Sequence, residues 1–270
     1  MKSSSAMLLS IVIPVYNERH TLGTILAVVA RALPDVSKEI IVVDDCSKDG
    51  TREWLQANFP NGARGGSSVE LDSDGQLVFA EQAGASCVTI RPIFHDRNKG
   101  KGAGLQTGFA AFTGDVLAIQ DADLEYDPND WRQMNDLIAV RKVADAVFGS
   151  RFYGRPHRSL YFHHYFANRL ISLLFNIVFN QTLTDIETCY KMMTREVARS
   201  LRLTANDFGI EVEMSAEIAR QRALRIYELG ISYYGRTYAE GKKINWKDGL
   251  KAPWYVFKFR FRRRDDDARQ

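Results

Sequence analysis

The 270-residue sequence predicts an α/β fold in which helices cover both faces of one mainly parallel sheet. Apolar segments of strand length alternate with segments of helical periodicity through the first half of the chain. Acidic residues directly follow two of the predicted strands, and in such sheets a ligand binds beyond the carboxyl ends of the strands. Hydrophobic residues make up 45% of the chain, which is enough to bury a sizeable core.

The alternation can be followed element by element. Apolar strands are predicted at residues 7–15, 39–43, 88–94, 116–120 and 144–149. The segments between them have helical periodicity and predict helices at residues 21–33, 50–58, 102–112 and 129–141. Because strands joined by helices run parallel, this order predicts one open sheet with both acidic clusters in a single crevice.

Residues 61–85 interrupt this order. Their first part, residues 61–68, has the Gly- and Ser-rich composition of a loop. Residues 69–79 predict a small hairpin that turns at Asp74 and Gly75. We interpret the whole segment as a mobile surface insertion, and the sequence assigns no function to it.

The second half of the chain has a different character. Residues 160–179 are rich in Phe, Leu and Ile, and a narrow polar stripe predicts a helix that buries most of its surface. The stripe consists of His164, Asn168, Ser172 and Asn176. A further helix is predicted at residues 211–222, and residues 246–264 mix aromatic side chains with Lys and Arg. We therefore expect one domain over residues 7–240, followed by an amphipathic basic and aromatic tail over residues 241–270.

Charge and cysteine content exclude several classes of protein. The 36 basic and 33 acidic residues give a formal charge of +3, which carries no general nucleic-acid signature. Three cysteines without a C-x-x-C pair argue against a disulfide scaffold and favour a reducing cytosolic setting. The apolar N-terminal stretch is short and ends in a proline, so we interpret it as a buried strand and not as a signal peptide. No apolar run reaches the roughly 18 residues of a transmembrane helix.

Three acids, Asp121, Asp123 and Glu125, follow the predicted strand at residues 116–120. Hard divalent cations prefer oxygen ligands, and Mg²⁺ commonly bridges one or two carboxylates to substrate phosphates. Acids at alternate positions can present their carboxylates on one side. The run therefore predicts a Mg²⁺ or Mn²⁺ site that would neutralise charge on a departing diphosphate. A solvated acidic loop that caps the helix after Pro128 is the alternative.

A second acidic pair, Asp44 and Asp45, follows the predicted strand at residues 39–43. A carboxylate at this point can accept hydrogen bonds from a ribose hydroxyl or from a base N–H. Capping of the next helix by Ser47 or Asp49 is the alternative, and both roles are compatible.

A glycine-rich segment at residues 98–104 precedes another predicted helix. It resembles a phosphate cradle but lacks the spacing of a P-loop. Two interpretations stay open: Lys101 contacts a phosphate, or the glycines simply allow a tight passage into the helix.

Seven motifs occur in one order between about residues 8 and 250 of the chain. They are IPVYNE (13–18), VDDCSKDGT (43–51), NKGKG (98–102), DAD (121–123), GSR (149–151), TDIETCYK (184–191) and RTYAEGK (236–242). In this order they resemble the family 2 glycosyltransferases with the GT-A fold, a single Rossmann-like domain. The last three resemble the branch of that family that contains the dolichol-phosphate mannose synthases.

The resemblance implies that one set of residues contacts a nucleotide-sugar donor. These residues are Pro14, Tyr16, Glu18, Val43, Asp45, Asp121 and Ala122. The first three match residues that hold the base, the next two belong to the motif that contacts the base or the ribose, and the last two line the donor site.

The resemblance also implies a metal site and a set of cations around the diphosphate. Asp123 and Glu125 match metal ligands, although the second position is often Gln in the mannose synthases. Arg151 matches a residue near the phosphates, and Arg236 and Lys242 match cations that close over the diphosphate. The spacing of these two cations is intact, but a glycine precedes Lys242 where a serine is usual, so the details of loop closure differ.

These roles imply an inverting transferase that moves a hexose from a UDP- or GDP-sugar. A polyprenyl phosphate acceptor, dolichyl or undecaprenyl, is already anionic and needs no general base. A hydroxyl acceptor on a glycan or small molecule requires a carboxylate base, for which Asp185, Asp207 and Glu211 are candidates. Asp185 can equally orient neighbouring basic residues. A catalytically silent nucleotide-sugar-binding protein is the alternative from another class, and the intact acidic run argues against it.

The acceptor and the location depend on the second half of the chain. Arg155, His157 and Arg158 precede the predicted helix at residues 160–179, where the resemblance implies an acceptor loop and a membrane-facing helix. A basic cluster beside an apolar helix suits a polyprenyl phosphate at a membrane surface. A core helix or an oligomer interface is the alternative. We expect a cytoplasmic protein at the inner face of a membrane, and the sequence leaves the sugar, the nucleotide and the oligomeric state open.

Overall fold

The computed structural model describes residues 7–81, 86–154, 156–159, 162–237 and 246–262. Within them the strands are β1 (Leu8–Val15), β2 (Ser37–Asp44), β3 (Arg64–Gly66), β4 (Ser68–Leu71), β5 (Leu77–Ala80), β6 (Val88–Phe94), β7 (Val116–Ile119), β8 (Ala146–Ser150), β9 (Lys191–Thr194) and β10 (Ile226–Gly230). The α-helices are α1 (Leu22–Arg31), α2 (Thr51–Asn58), α3 (Lys101–Ala111), α4 (Trp131–Asn135), α5 (Phe162–Phe179), α6 (Arg195–Ser200), α7 (Ile210–Ala219) and α8 (Trp246–Arg260). The alternation predicted for the first half is confirmed.

Eight of the described strands form one sheet in the spatial order β10–β8–β9–β7–β1–β2–β6–β3. β1 pairs in parallel with β2 on one side and with β7 on the other, and the pairs β2–β6 and β8–β10 are also parallel. β3 and β9 run antiparallel to their neighbours. The predicted mainly parallel sheet is therefore confirmed for the described part of the chain.

The strand β1 organises the edge of the sheet that bears the acidic clusters. Its last residue, Val15, pairs with Asp44 of β2, and Val12 pairs with the last residue of β7. Backbone bonds extend both pairings, from Asp45 N to Val15 O (2.8 Å) and from Gln120 N to Val12 O (3.1 Å). The chain thus leaves β2 and β7 on either side of β1, and both acidic clusters lie at one edge, as predicted.

Alternate residues of β1 enter two separate core layers, because successive side chains of a strand point to opposite faces. Ile11 and Ile13 pack in the layer formed with α1, α2 and the β4–β5 pair. Val12 packs in the layer formed with α3, α5, α7 and α8. Full burial of such side chains contributes about 1.5–3 kcal/mol each, so both layers hold β1 in place.

The helix predicted at residues 129–141 is irregular. It begins with a 3₁₀ turn at Pro128–Asp130, continues as α4 and ends with a π-helical turn at Asp136–Val140. The Asp127 side chain accepts a hydrogen bond from Asn129 N at 2.9 Å and so caps the first turn. The apolar pattern identified a helical segment but could not identify its hydrogen-bonding register.

Two strands and one helix of the second half were not predicted. β9 has four residues and leads directly into α6, and its Met192 and Met193 are fully buried. It lies between β7 and β8 and runs antiparallel to both. β10 pairs with β8 at the edge of the sheet. Segments this short carry too few alternating positions for the period of a strand to be read from sequence.

The segment predicted as an insertion contains β3 and the hairpin of β4 and β5, so the predicted hairpin is confirmed. Val69 and Leu77 are buried in the first core layer, and Trp54 Nε1 donates to the carbonyl of Gly75 at 2.9 Å. These contacts anchor the hairpin to α2. Mobility of residues 61–85 stays a prediction, and residues 82–85 lie outside the described part.

The tail predicted over residues 241–270 contains α8 in its described part. α8 packs against α5 and α7, and its Val256 and Phe259 are buried in the second core layer. Of the described helices, none has the length and apolarity needed to cross a membrane.

The helix α5 differs from its prediction in how much surface it buries. Ile171 and Phe175 pack in the core, but a second apolar stripe is exposed. This stripe comprises Phe162, Phe166, Leu170, Leu173 and Ile177. The prediction that α5 buries most of its surface is therefore wrong for this chain, because a single helix can present only one side to the domain core.

Candidate active site

A cavity of about 1080 Å³ opens at the carboxyl edge of the sheet and extends to α5 and α8. Most of the predicted site residues line it, namely Pro14, Tyr16, Glu18, Asp45, Lys101, Asp121, Ala122, Asp123, Glu125, Arg151 and Arg236. Val43 does not, because it is fully buried in the central strand β2. Asp185 is buried behind Arg151, and Lys242 lies outside the described residues.

The acidic run is divided between two partners. Arg236 binds its last two members, with Nη2 at 2.7 Å from Asp123 Oδ2 and Nε at 2.9 Å from Glu125 Oε1. Glu125 also accepts hydrogen bonds from the Tyr233 hydroxyl at 2.8 Å and from Arg236 N at 3.1 Å. Arg236 Nη2 lies 3.6 Å from Glu18 Oε1 as well. One guanidinium therefore sits at the point where three carboxylates converge.

Burial and crowding by neighbouring acids change the protonation of Asp123. Burial, together with the negative charges of Asp121 and Glu125, raises the pKa of Asp123 to about 7, although Arg236 opposes the shift. Burial lowers the pKa of Arg236, but the charge of Asp123 and the bond to Glu125 outweigh it, so the guanidinium pKa lies above its usual value. Asp123 is thus poised to exchange its proton for another cation near neutral pH.

The donor set of Asp123 and Glu125 fits a hard divalent cation. Both side chains offer carboxylate oxygens, and these already converge on one positive group, Arg236. Mg²⁺ and Mn²⁺ are commonly bound by one or two carboxylates and complete their coordination with substrate phosphates and water. The described residues contain no group of three or more His, Cys, Asp or Glu side chains arranged to hold a metal by themselves.

Asp121 faces away from Asp123 and Glu125 and belongs to a largely buried network of charges. Lys101 Nζ lies 2.7 Å from Asp121 Oδ1 and 3.4 Å from Glu211 Oε1, and it donates to Cys189 Sγ at 2.6 Å. Lys191 Nζ lies 2.8 Å from the second oxygen of Glu211. Burial opposes the charge on Lys101, but its acidic neighbours outweigh this effect and raise the Lys101 pKa well above its usual value. The phosphate contact predicted for Lys101 stays a prediction.

Asp45 fixes the loop that leads into α3. Its Oδ1 lies 2.7 Å from His95 Nδ1 and accepts from Lys99 N at 2.8 Å, and its Oδ2 accepts from Gly100 N at 2.7 Å. Gly100 has a φ of +94°, and a Cβ there would lie 2.3 Å from the carbonyl oxygen of Asn206. Only glycine fits this passage, so the interpretation of these glycines as a tight entry into the helix is confirmed.

Asp185 and Arg151 form a buried bidentate ion pair. Arg151 Nε lies 2.7 Å from Asp185 Oδ2, and Arg151 Nη2 lies 2.8 Å from Oδ1. Burial raises the pKa of Asp185, but the charge of Arg151 outweighs it and holds that pKa below its usual value. This geometry supports the orienting role of Asp185 over the role of general base, because both carboxylate oxygens are occupied.

The other end of the cavity is apolar with a basic rim. Phe162, Tyr165 and Leu170 of α5 line it together with Ala252 and Pro253 of α8. The rim includes His157 and Arg158 of the predicted acceptor loop. The neighbouring Arg155, which the sequence placed in the same cluster, lies outside the described residues.

Sequence reasoning missed three residues that line the cavity. Tyr233 holds Glu125, and Asn168 Nδ2 donates to Glu187 Oε2 at 3.2 Å. Burial raises the pKa of Glu187 to about 7. The TDIETCYK motif contains Glu187, and Asn168 belongs to the polar stripe of α5, so both were visible but not assigned a role.

The chain is similar to a known protein family and to individual members of it. The model of glycosyl transferase family 2 matches residues 10–66 and 72–202. A dolichol-phosphate mannosyltransferase of Pyrococcus furiosus is 24% identical over 242 residues, which are 88% of this chain and 61% of that protein. An undecaprenyl-phosphate mannosyltransferase of Micrococcus luteus is 26% identical over 246 residues, which are 86% of this chain and 85% of that protein. This chain thus spans less than two thirds of the Pyrococcus relative.

Solved structures share the architecture. Glucosyl-3-phosphoglycerate synthase from Mycobacterium tuberculosis, crystallised with Mn²⁺, uridine diphosphate and phosphoglyceric acid, superposes with a TM-score of 0.64 at 16% identity. The match covers 96% of this chain and 80% of that chain. At this identity the likeness concerns the fold alone, and the predicted GT-A fold is confirmed.

The Lys101 network predicts a large and specific loss of stability. Lys101→Met should lower the free energy of unfolding by about 3–5 kcal/mol, because it removes a cation from the partly buried Asp121 and from the buried Glu211. Chemical denaturation monitored by circular dichroism measures this loss. Lys99→Met is the matched control, since its ion pair with Asp96 is exposed and should leave stability unchanged. Equal effects of the two substitutions would contradict a structural role for the network.

Proposed function

The chain belongs to glycosyl transferase family 2, and we propose that it is an inverting enzyme that transfers a hexose from a UDP- or GDP-sugar to a polyprenyl phosphate. One observation carries this proposal. A single cavity joins the carboxylate pair of Asp123 and Glu125 to the apolar end formed by α5 and α8. A nucleotide diphosphate suits the first end, and a lipid suits the second.

The donor end supplies charge stabilisation for a departing diphosphate. Asp123 and Glu125 would hold Mg²⁺ or Mn²⁺, which neutralises phosphate charge when it is bound. Arg236 would leave these carboxylates and pair with the diphosphate. Lys242, which follows in sequence, would supply a second cation. Groups already aimed at the place where negative charge develops lower the barrier most effectively. Pro14, Tyr16 and the other donor residues that line the cavity would hold the nucleotide along the edge of β1.

The acceptor end suits a phosphate that carries a lipid chain. Arg151 and Arg158 line the cavity, so they offer positive charge to an incoming phosphate, and His157 lines it as well. Such a nucleophile is already ionised, so it needs no carboxylate base. Asp185 is then free to orient Arg151. The names of the Pyrococcus and Micrococcus relatives point to the same class of acceptor, dolichyl or undecaprenyl phosphate.

We also propose that the protein docks on the inner face of a membrane from the cytoplasm. The exposed stripe of α5 has apolar residues at intervals of three and four positions, so they share one face of the helix. α8 adds exposed Trp254 and Phe257 beside Lys258 and Arg260. Apolar side chains flanked by cations are the pattern of helices that lie in anionic lipid headgroups.

Transfer itself is the first test of the proposal. Purified protein with Mg²⁺ or Mn²⁺ should move label from a radiolabelled UDP- or GDP-sugar into the organic phase when undecaprenyl or dolichyl phosphate is present. Polyprenol without phosphate is the matched acceptor control and should give no product. Product with the alcohol would instead indicate a hydroxyl acceptor. If none of the common UDP- or GDP-sugars gave a lipid-linked product, the proposal would be refuted.

Metal binding should depend on pH through Asp123. Because a proton and a metal compete for a carboxylate with a pKa of about 7, Mn²⁺ affinity in the presence of nucleotide should rise from pH 5 to 7 and then level off. The Mn²⁺ affinity should increase by about tenfold per pH unit where its dependence on pH is steepest. Electron paramagnetic resonance of free Mn²⁺ measures it. Asp123→Asn should bind weakly at every pH, and an unchanged profile in this variant would contradict the assignment.

The same carboxyl group links pH to stability. The folded-state pKa of Asp123 lies above the unfolded value of 3.8, so the folded chain binds more protons between these limits. The contribution of Asp123 to stability should therefore decrease as pH rises from about 4 to 7. Asp123→Asn should remove this part of the pH dependence of the unfolding free energy.

Membrane docking should depend on the exposed stripe of α5. Phe166→Ser combined with Ile177→Ser should abolish flotation with phosphatidylglycerol vesicles, because both removed side chains are exposed and apolar. Val140→Ser is the matched control, since Val140 is 69% exposed and Ile177 is 73% exposed, but Val140 lies outside α5 and α8. Flotation of the double variant at the level of the unmodified protein would refute this surface.

A further inference from the structure

A polar segment of the cavity lies between its acidic end and its apolar end. Glu187 connects the two, because it is two residues from Cys189, whose Sγ contacts Lys101 beside Asp121. On its other side Glu187 Oε2 accepts a hydrogen bond from Asn168 Nδ2 of α5. Both Glu187 and Asn168 line the cavity.

The other carboxylates of this region already have cationic partners. Glu211 contacts Lys191 and Lys101, and Asp185 is held by Arg151 through both oxygens. Glu187 differs from them, since among the described residues its one hydrogen bond comes from an amide. Its side chain is only half-buried although protein surrounds it, because it opens onto the cavity.

The hydrogen-bonding groups of this pair are incompletely satisfied. Asn168 is only 7% exposed, and its Oδ1 has no hydrogen-bond partner among the described residues. An unpaired buried carbonyl oxygen is unfavourable, so a ligand that donates a hydrogen bond would be bound there. Glu187 has lone pairs available for the same purpose.

The charge of the segment indicates the class of that ligand. Glu187 has no cationic partner among the described residues, so its carboxyl group disfavours an anion, and a phosphate would bind at Arg151 or Arg236 and not here. A neutral group rich in hydroxyls fits, since each hydroxyl donates one hydrogen bond and accepts others. A hexose is such a group.

We propose that Glu187 and Asn168 form the subsite that receives the hydroxyl groups of the transferred sugar, and that Glu187 determines which sugar is accepted. This inference rests on the proposed function, because a bound nucleotide sugar is what places a hydroxylated ring between the diphosphate and the acceptor. A carboxylate and an amide at fixed positions discriminate strongly, since a sugar with a hydroxyl in the wrong place leaves them unpaired.

Titration calorimetry on the full chain with Mg²⁺ tests the subsite without requiring transfer. The probes are UDP, GDP, UDP-glucose, UDP-N-acetylglucosamine and GDP-mannose. For each protein the Kd of the free nucleotide is divided by that of its sugar conjugate, and this ratio is compared between variants. The two ligands differ in charge, so the ratio is compared among variants of equal net charge, Glu187→Ala, Glu187→Gln and Glu196→Ala.

Glu187→Ala should reduce this ratio about tenfold or more for the preferred sugar and leave the Kd of the free nucleotide within about twofold. Glu187→Gln should keep part of the ratio and change the order of preference among sugars. Glu196→Ala, at an exposed position of α6, is the matched control and should change neither value. Circular dichroism melting identifies any variant that fails to fold. If Glu187→Ala fails to fold, the ratio measured for Glu187→Gln decides the test.

Two outcomes would overturn the subsite while leaving the proposed function intact. One is a ratio unchanged in both Glu187 variants. The other is a variant that binds the sugar conjugate normally but loses transfer together with a pH dependence near 7, which would make Glu187 a general base. A wild-type protein that binds none of the nucleotides would instead defeat the proposed function, and this inference with it.

Discussion

Buried carboxylates need cations, and this requirement joins the second half of the chain to the first. The acids that follow β7 cannot lie at the floor of a cavity without positive partners, because desolvation of an unpaired charge is costly. Lys101 forms an ion pair with Asp121, and Arg236 forms ion pairs with Asp123 and Glu125. These partners come from α3 and from the segment after β10, so the ion pairs fix where distant parts of the chain meet.

The cavity has one charged wall, which these ion pairs form, and one apolar wall. On the sheet side, Lys101, Arg236 and Arg151 pair with four of the carboxylates, Asp121, Asp123, Glu125 and Asp185. On the helix side, α5 and α8 contribute apolar side chains and leave a stripe of them exposed. An arrangement of this kind suits a reaction between a charged, water-soluble donor and an acceptor with a lipid chain.

The agreement between sequence and structure depends on the length of each pattern. β1, β2, β6 and β7 were predicted within a few residues, because long apolar strands followed by helices carry a strong signal. β9 was missed, although its Met192 and Met193 are fully buried, because four residues do not establish a period. α5 was recognised as a helix, but its exposed stripe was taken for buried surface. Amphipathic patterns identify an apolar face without identifying what covers it.

The sequence by itself determined the fold class, the family motifs, and the edge of the sheet at which Asp45 and Asp123 lie. These follow from local periodicity and from the rule that parallel strands present their carboxyl ends together. Only the tertiary structure decided that Asp121 faces Lys101 while Asp123 and Glu125 face Arg236, and that Glu187 meets Asn168. Residues separated by many positions along the chain make those contacts. No local sequence pattern indicates which cation will pair with which carboxylate.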